Sequence, residues 1–239
     1  MAPQPFAQSG VGLLGPFPPG PGQVKYLIVA IDYYTKWVEA ESLATITAVN
    51  CQKFLWRQVI TRFRIPESVI LDNGTQFTGK KFKEFLSGLG IKQRFSSVDH
   101  PQSNRQVEAT NKIILKGLKK RLKGKKGSWA DQLASVLWSY RTSPQSSTSK
   151  TTFRLTYGVD AVIPVEIGES SPRLLLGGGS KVVEKDLVDE IRQMAHLTET
   201  AIKQIIALRY NSKVLKLKRS LGEGDLVLRR NDIGPPTPG

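Results

Sequence analysis

Val69-Ile70-Leu71-Asp72-Asn73-Gly74-Thr75-Gln76-Phe77 decides how this chain is read. Three apolar residues run into an acidic one, and the Asn-Gly pair behind it is a turn signal. A buried strand that ends this way delivers a carboxylate to the edge of a sheet. Thirty-five residues separate Asp72 from Glu108, which stands after the turn-rich stretch His100-Pro101-Gln102-Ser103-Asn104. It is expected in the first turn of a helix over residues 106–121. Read singly, Asp72 is a solvated turn aspartate and Glu108 a glutamate favoured by the helix dipole. Read as a pair, one carboxylate at a strand end and one at a helix start suit a divalent cation, because Mg²⁺ takes hard oxygen ligands.

Working outward, residues 11–14 read as a short strand, residues 15–22 as a Pro/Gly turn, and residues 26–32 as a second strand rich in β-branched and aromatic side chains. Residues 36–43 read as a third strand. The two short connections imply an antiparallel meander. Thr47 is placed to cap a helix running to about residue 63. Residues 80–88 form a short helix stopped by Gly88 and Gly90. Residues 91–95 form a fifth strand, reached through that helix and therefore parallel to the fourth. Leu133, Val136, Leu137 and Tyr140 recur at helical spacing over residues 129–141. Three antiparallel strands followed by helix, strand, helix, strand, helix is the order of a ribonuclease-H-like α/β fold: a mixed five-stranded sheet with helices on both faces.

The domain reading follows. Residues 1–10 are expected to be loose, residues 11–168 to form the core, and residues 169–181, with Pro172 and Gly177-Gly178-Gly179, to form a linker. Residues 182–218 form an amphipathic helical extension. Leu187, Ile191, Met194, Thr198, Ala201, Ile205 and Leu208 recur at steps of four and three, a seam that serves either the chain's own core or another subunit. Residues 219–239 hold one strand-like stretch, Gly222-Glu223-Gly224-Asp225-Leu226-Val227-Leu228-Arg229-Arg230, too little to close a β-barrel.

Composition narrows the partners. The chain has 35 basic against 20 acidic residues, a formal charge of +15. That balance makes a polyanion the default partner, with nucleic acid ahead of a membrane surface. No apolar run is long enough to span a bilayer, and no basic-then-apolar N-terminus marks secretion. A single cysteine, Cys51, and two histidines, His100 and His196, rule out an internal disulfide and a zinc site of the usual Cys/His type. From Lys112 to Lys126 there are eight basic residues and no acidic one. Lys112 and Lys116 follow Glu108 at steps of four and share its helix face.

Several motifs carry a family resemblance. They are Gly15-Pro16-Phe17-Pro18; Ala30-Ile31-Asp32-Tyr33-Tyr34-Thr35-Lys36-Trp37; Asp72 through Phe77; His100-Pro101-Gln102 with Gln106-Val107-Glu108-Ala109; and Tyr140-Arg141-Thr142. In this order and spacing the chain resembles the integrase catalytic core of plant gypsy-type long-terminal-repeat retrotransposons, within the retroviral integrase family. The resemblance implies a nuclear enzyme of phosphoryl transfer on DNA, with Mg²⁺ or Mn²⁺ held by two aspartates and a glutamate, DNA as partner and self-association as an option. The second and third ligands match Asp72 and Glu108. The first position is Gly12, which has no side chain to offer, so this copy is expected to be impaired. Asp32, which the family pattern also carries, is not expected to substitute. The helix that meets the DNA end matches Asn111 and Lys112, and Lys116, Lys119 and Lys120 extend that basic surface. Arg105 stands where relatives have glycine. Three other readings stay open: a non-catalytic DNA-binding or self-associating relic, a ribonuclease H, and a transposase of the same fold.

Overall fold

The computed structural model describes residues 4–95, 101–122, 129–162 and 185–216. His100, the basic residues Lys123, Lys125 and Lys126, the linker at 169–181 and the strand-like stretch at 222–230 lie outside the described residues. The chain clusters into two units, Met1–Thr198 and Glu199–Gly239.

The first unit is built on one five-stranded sheet. Its strands are β1 (Gln8–Leu14), β2 (Tyr26–Asp32), β3 (Val38–Leu43), β4 (Ser68–Leu71) and β5 (Lys92–Phe95), in the order β3-β2-β1-β4-β5. β1, β2 and β3 pair antiparallel, whereas β4 lies parallel to β1 and β5 parallel to β4. This is the mixed sheet that the order of elements implied. β2 is apolar along nearly its whole length because the sheet is covered on both sides.

Side chains of alternate residues feed two cores. Val11, Ile28, Ala30, Val69 and Leu71 face Phe54, Leu55, Phe77, Phe82 and Leu86. Those come from α1 (Ala48–Phe54), its wider π-type continuation Leu55–Ile60, α2 (Thr75–Thr78) and α3 (Lys80–Gly88). On the other face Leu27, Val29, Ile31 and Val38 meet Val107, Ile114, Leu118, Trp129, Leu133 and Tyr140 of α4 (Pro101–Leu122) and α5 (Trp129–Thr142). Thr47 caps α1 as expected, its hydroxyl accepting from the Asn50 amide at 3.1 Å. Gly15 leaves β1 at φ +123°, and a Cβ there would stand 2.7 Å from the Lys25 carbonyl oxygen, so this turn needs glycine.

Three expectations are corrected. The stretch to residue 10 is not loose where it is described: Phe6 is buried and stacks on Phe63 at 4.0 Å, and β1 already begins at Gln8. The third strand begins at Val38 rather than residue 36, because Lys36 takes a left-handed turn conformation. α4 begins at Pro101, so Glu108 lies beyond its first turn, and Arg105 belongs to helix rather than loop. Proline is accepted there because the first helical position has no intrahelical partner for an N–H.

α6 (Thr152–Tyr157) is capped by Thr151 and closed by Gly158 in the left-handed conformation. α7 (Lys185–Lys216) follows. Within the first unit, Arg192 donates to the carbonyls of Leu155 and Thr156, both at 2.9 Å, and His196 stacks on Tyr34. The buried positions are Ala195 and Glu199, while Leu187, Met194, Ile205 and Leu208 of the apolar seam are exposed.

Candidate functional site

Asp72 is the first residue past β4. Its Oδ1 accepts from the Gly74 amide at 3.0 Å, which folds the Asn-Gly turn back and starts α2. The strand pairs in parallel with β1 through Gln8↔Ser68, Ser9↔Val69 and Gly10↔Ile70. Two further steps of that register bring Gly12 level with Asp72. The position at which the resemblance expected a first carboxylate thus falls beside Asp72, on the neighbouring strand.

The third element is α4, which crosses the same face of β1. A Cβ at Gly10 would stand 2.5 Å from a Val107 methyl, and one at Gly12 would stand 2.9 Å from the other Val107 methyl and 3.0 Å from Asn111 Nδ2. The two glycines let this helix lie close on the strand. Val107 precedes Glu108 on α4 and Asn111 follows it by three residues, so the part of the helix that bears Glu108 runs beside the strand that holds Gly12. Glu108 is exposed. Asn111 is buried, and its Oδ1 has no hydrogen-bond partner.

α4 divides its residues by face. Val107, Thr110, Asn111, Ile114 and Leu118 are buried, whereas Lys112, Lys116, Lys119 and Lys120 are exposed with Glu108. The structure therefore separates Asn111 from the four lysines with which the sequence grouped it.

Asp32 does not stand free to replace the missing carboxylate. Its Oδ1 accepts from the Phe6 amide at 3.0 Å, and its Oδ2 from the Thr35 amide at 2.8 Å and the Thr35 hydroxyl at 2.6 Å. These bonds tie the β2–β3 turn to the N-terminal segment. Burial pushes its pKa above the ordinary carboxylate range, and the Thr35 and Phe6 hydrogen bonds oppose that only in part.

Two features at the site were not legible beforehand. Lys36, buried at φ +63°, donates from Nζ to the Tyr33 carbonyl at 2.8 Å and to Gln106 Oε1 at 3.3 Å, joining the β2–β3 turn to α4 two residues before Glu108. The Tyr140-Arg141-Thr142 motif is structural: Arg141 reaches Glu39 at 2.7 Å and the Val38 carbonyl at 2.8 Å, and it lies over the Trp37 ring. Trp37 is buried against Phe63, Phe153 and Tyr157. Both were visible only as motif residues, with nothing in the sequence to pair them.

Among the described residues, no three acidic, histidine or cysteine side chains gather as a metal-binding group. Two carboxylates beside a glycine do not fit a two-ion centre, which needs a carboxylate shared between the ions to offset their repulsion.

Comparison with known proteins places these elements. Residues 13–101 match the family Integrase core domain. The match contains Asp72 but begins after Gly12 and ends before Glu108. The chain is 30% identical over 203 residues to the Pro-Pol polyprotein of simian foamy virus type 3 (strain LK3), covering 82% of this chain and 16% of that polyprotein. It is 33% identical over 153 residues to the Gag-Pol polyprotein of gibbon ape leukemia virus, covering 64% of this chain and 9% of the relative. The chain therefore spans a small part of the relatives it matches. In structure it is similar to a chain of the simian T-cell lymphotropic virus intasome solved in complex with PP2A regulatory subunit B56 gamma. The TM-score is 0.57 at 20% identity, over 70% of this chain and 59% of that one, which speaks for the fold.

Proposed function

Because this chain belongs to the retroviral integrase family, we propose that it is the DNA-binding core of an integrase whose phosphoryl-transfer centre is impaired. The plant gypsy-type retrotransposon origin and the roles of Asp72 and Glu108 belong to the same proposal. The observation that carries it is α4, where one face bearing Lys112, Lys116, Lys119 and Lys120 also exposes Glu108. Cations on the face of the acidic residue are where a substrate phosphate is held. The chain's charge of +15 draws DNA to that surface.

The chemistry of such a centre is in-line attack of water or a 3′-hydroxyl on a phosphodiester, supported in an intact site by two Mg²⁺ or Mn²⁺ ions. This chain's residues supply less. Asp72 and Glu108 offer carboxylate oxygens from two elements, the lysines orient phosphate, and Gly12 offers nothing. A relic that binds DNA without cutting it is the second reading, and Gly12 is the residue that favours it.

The test is DNA binding in EDTA across a salt series. Neutralising about six phosphates gives a log–log slope of about −5. Replacing Lys112 and Lys116 together by alanine should reduce that slope by about two units, roughly uniformly across sequences. A salt-independent affinity, or an unchanged slope in the double variant, would contradict the assignment.

A further inference from the structure

The turn between β2 and β3 meets both α4 and α7. Lys36, 6% exposed, sends its ammonium from the turn to Gln106 Oε1 at 3.3 Å and to the Tyr33 carbonyl at 2.8 Å. Tyr34, two residues earlier, stacks on His196 of α7 with ring centroids 5.8 Å apart. The turn itself is closely tied. The Lys36 amide donates to the Asp32 carbonyl at 3.0 Å, the Trp37 amide to Thr35 Oγ1 at 3.2 Å, and the Tyr33 amide to the Gln8 carbonyl at 3.0 Å. A lysine at φ +63° is disfavoured and persists only where its surroundings over-determine it. The turn is therefore stiff, and a shift of one ring or amine is passed on rather than absorbed.

The two helices it touches are held differently. α4 is fixed by Val107, Ile114 and Leu118 in the core on its side of the sheet. Gln106 precedes these, and its Nε2 is buried with no partner, so Oε1 is the end that anchors it. The part of α7 up to Thr198 belongs to the first unit. There Leu187, Met194 and Leu197 are exposed, and the contacts run through Arg192, the His196 ring and the small Ala195. A helix that buries so little apolar surface opens at low cost.

We propose that Lys36 positions the start of the α4 lysine face and transmits to it whether α7 is docked on the turn. This rests on the reading of that face as the DNA-binding surface and goes beyond it by naming what sets its placement. With α7 docked, the Tyr34 ring is covered and the turn keeps its shape. Lys36 then holds Gln106, two residues before Glu108 and six before Lys112. With α7 released, the turn relaxes and the first turns of α4 loosen. The coupling is reciprocal, so DNA drawn to α4 favours the docked helix.

The experiment is hydrogen exchange read by mass spectrometry on the whole chain without DNA, over residues 104–112 of α4 and 26–32 of β2. Lys36→Met keeps the aliphatic stem and removes the amine. It should speed exchange in α4 about tenfold and leave β2 within about twofold, a local rather than global loss of protection. Gln106→Glu gives the amine a charged acceptor and should slow α4 exchange below that of the unmodified chain. His196→Ala should speed α4 exchange too, yet add nothing in the Lys36→Met background, because the effect passes through the missing amine. Unchanged α4 exchange in Lys36→Met, equal acceleration in α4 and β2, or a His196→Ala effect undiminished without the amine overturns the proposal. If Lys36→Met does not fold by circular dichroism, Gln106→Glu decides alone, and α4 exchange equal to that of the unmodified chain overturns it. The exchange is read without DNA and the salt series reads DNA alone, so failure of this proposal and failure of the DNA-binding reading are told apart.

Discussion

A side chain at residue 12 would leave β1 directly toward α4. Gly12→Asp therefore has two consequences that can be measured apart. The new Cβ meets Val107 Cγ1 at 2.9 Å, so the helix or that rotamer must give, at about 1–2 kcal/mol for mild overpacking. Asn111 Nδ2, at 3.0 Å, is the end of a rotatable amide and can turn to donate to the new carboxylate. The variant is expected to unfold at slightly lower denaturant yet bind Mn²⁺ more tightly than the unmodified chain. It should also gain disintegration, the reverse reaction that asks least of flanking domains. The unmodified chain should show little or none, since a deficit of about 4 kcal/mol in transition-state stabilisation is already about a thousandfold in rate. Clear Mn²⁺-dependent turnover in the unmodified chain, abolished by Asp72→Asn, would refute the claim of impairment. Asp32 could not explain that result, because both its oxygens hold the β2–β3 turn.

Among the elements, α7 shows how a sequence pattern and a packed face can differ. Its apolar residues at steps of four and three suggested a seam, but Leu187, Met194, Ile205 and Leu208 are exposed. The side that is held uses Arg192, whose guanidinium spans two carbonyls at the end of α6, together with Ala195. A reading that counts only apolar residues gives no weight to an arginine that serves as an anchor. Arg192→Ala should lower thermal stability by about 1–3 kcal/mol through the orphaned Leu155 and Thr156 carbonyls. Leu208→Lys should stay within about 0.5 kcal/mol, as exposed substitutions do. A marked loss of stability in Leu208→Lys would mean that this face is covered after all. The same kind of blindness hid the start of β1, where Gly10 and Gly12 break the hydrophobic alternation because α4 lies against them. It also hid the start of α4, where proline and polar residues read as a turn although proline suits a first helical turn. By contrast β2, α3 and the Asp72 strand were legible, because apolar runs bounded by turn residues leave few alternatives.

For the molecule as a whole, one sheet carries two cores, and the sheet itself couples them. The order of strands and helices sufficed to foresee this architecture, since a βαβ step allows essentially one hand and a short connection one antiparallel neighbour. What it could not foresee was which polar groups would meet, such as Glu39 with Arg141, because an ion pair whose partners lie 102 residues apart leaves no local periodicity. Phe82 belongs to one core and Trp129 to the other, and each is at least 98% buried. Truncating either to alanine should cost about 3–5 kcal/mol. Both variants should still unfold the first unit in a single transition, with fluorescence and circular dichroism coinciding. Separate transitions for the two sides would show that the sheet does not couple them.

Cys51 has a practical consequence. It is fully buried in α1, and burial, with Asp72 nearby, pushes its thiol pKa up to about 12. Almost no thiolate exists at neutral pH, and no reagent reaches the sulfur in the folded state. The native chain is thus already silent toward maleimides. A single cysteine introduced at exposed Lys116 would be the only reactive thiol, so a fluorophore or spin label could report on the lysine-bearing side of α4 without first deleting a native residue from the core.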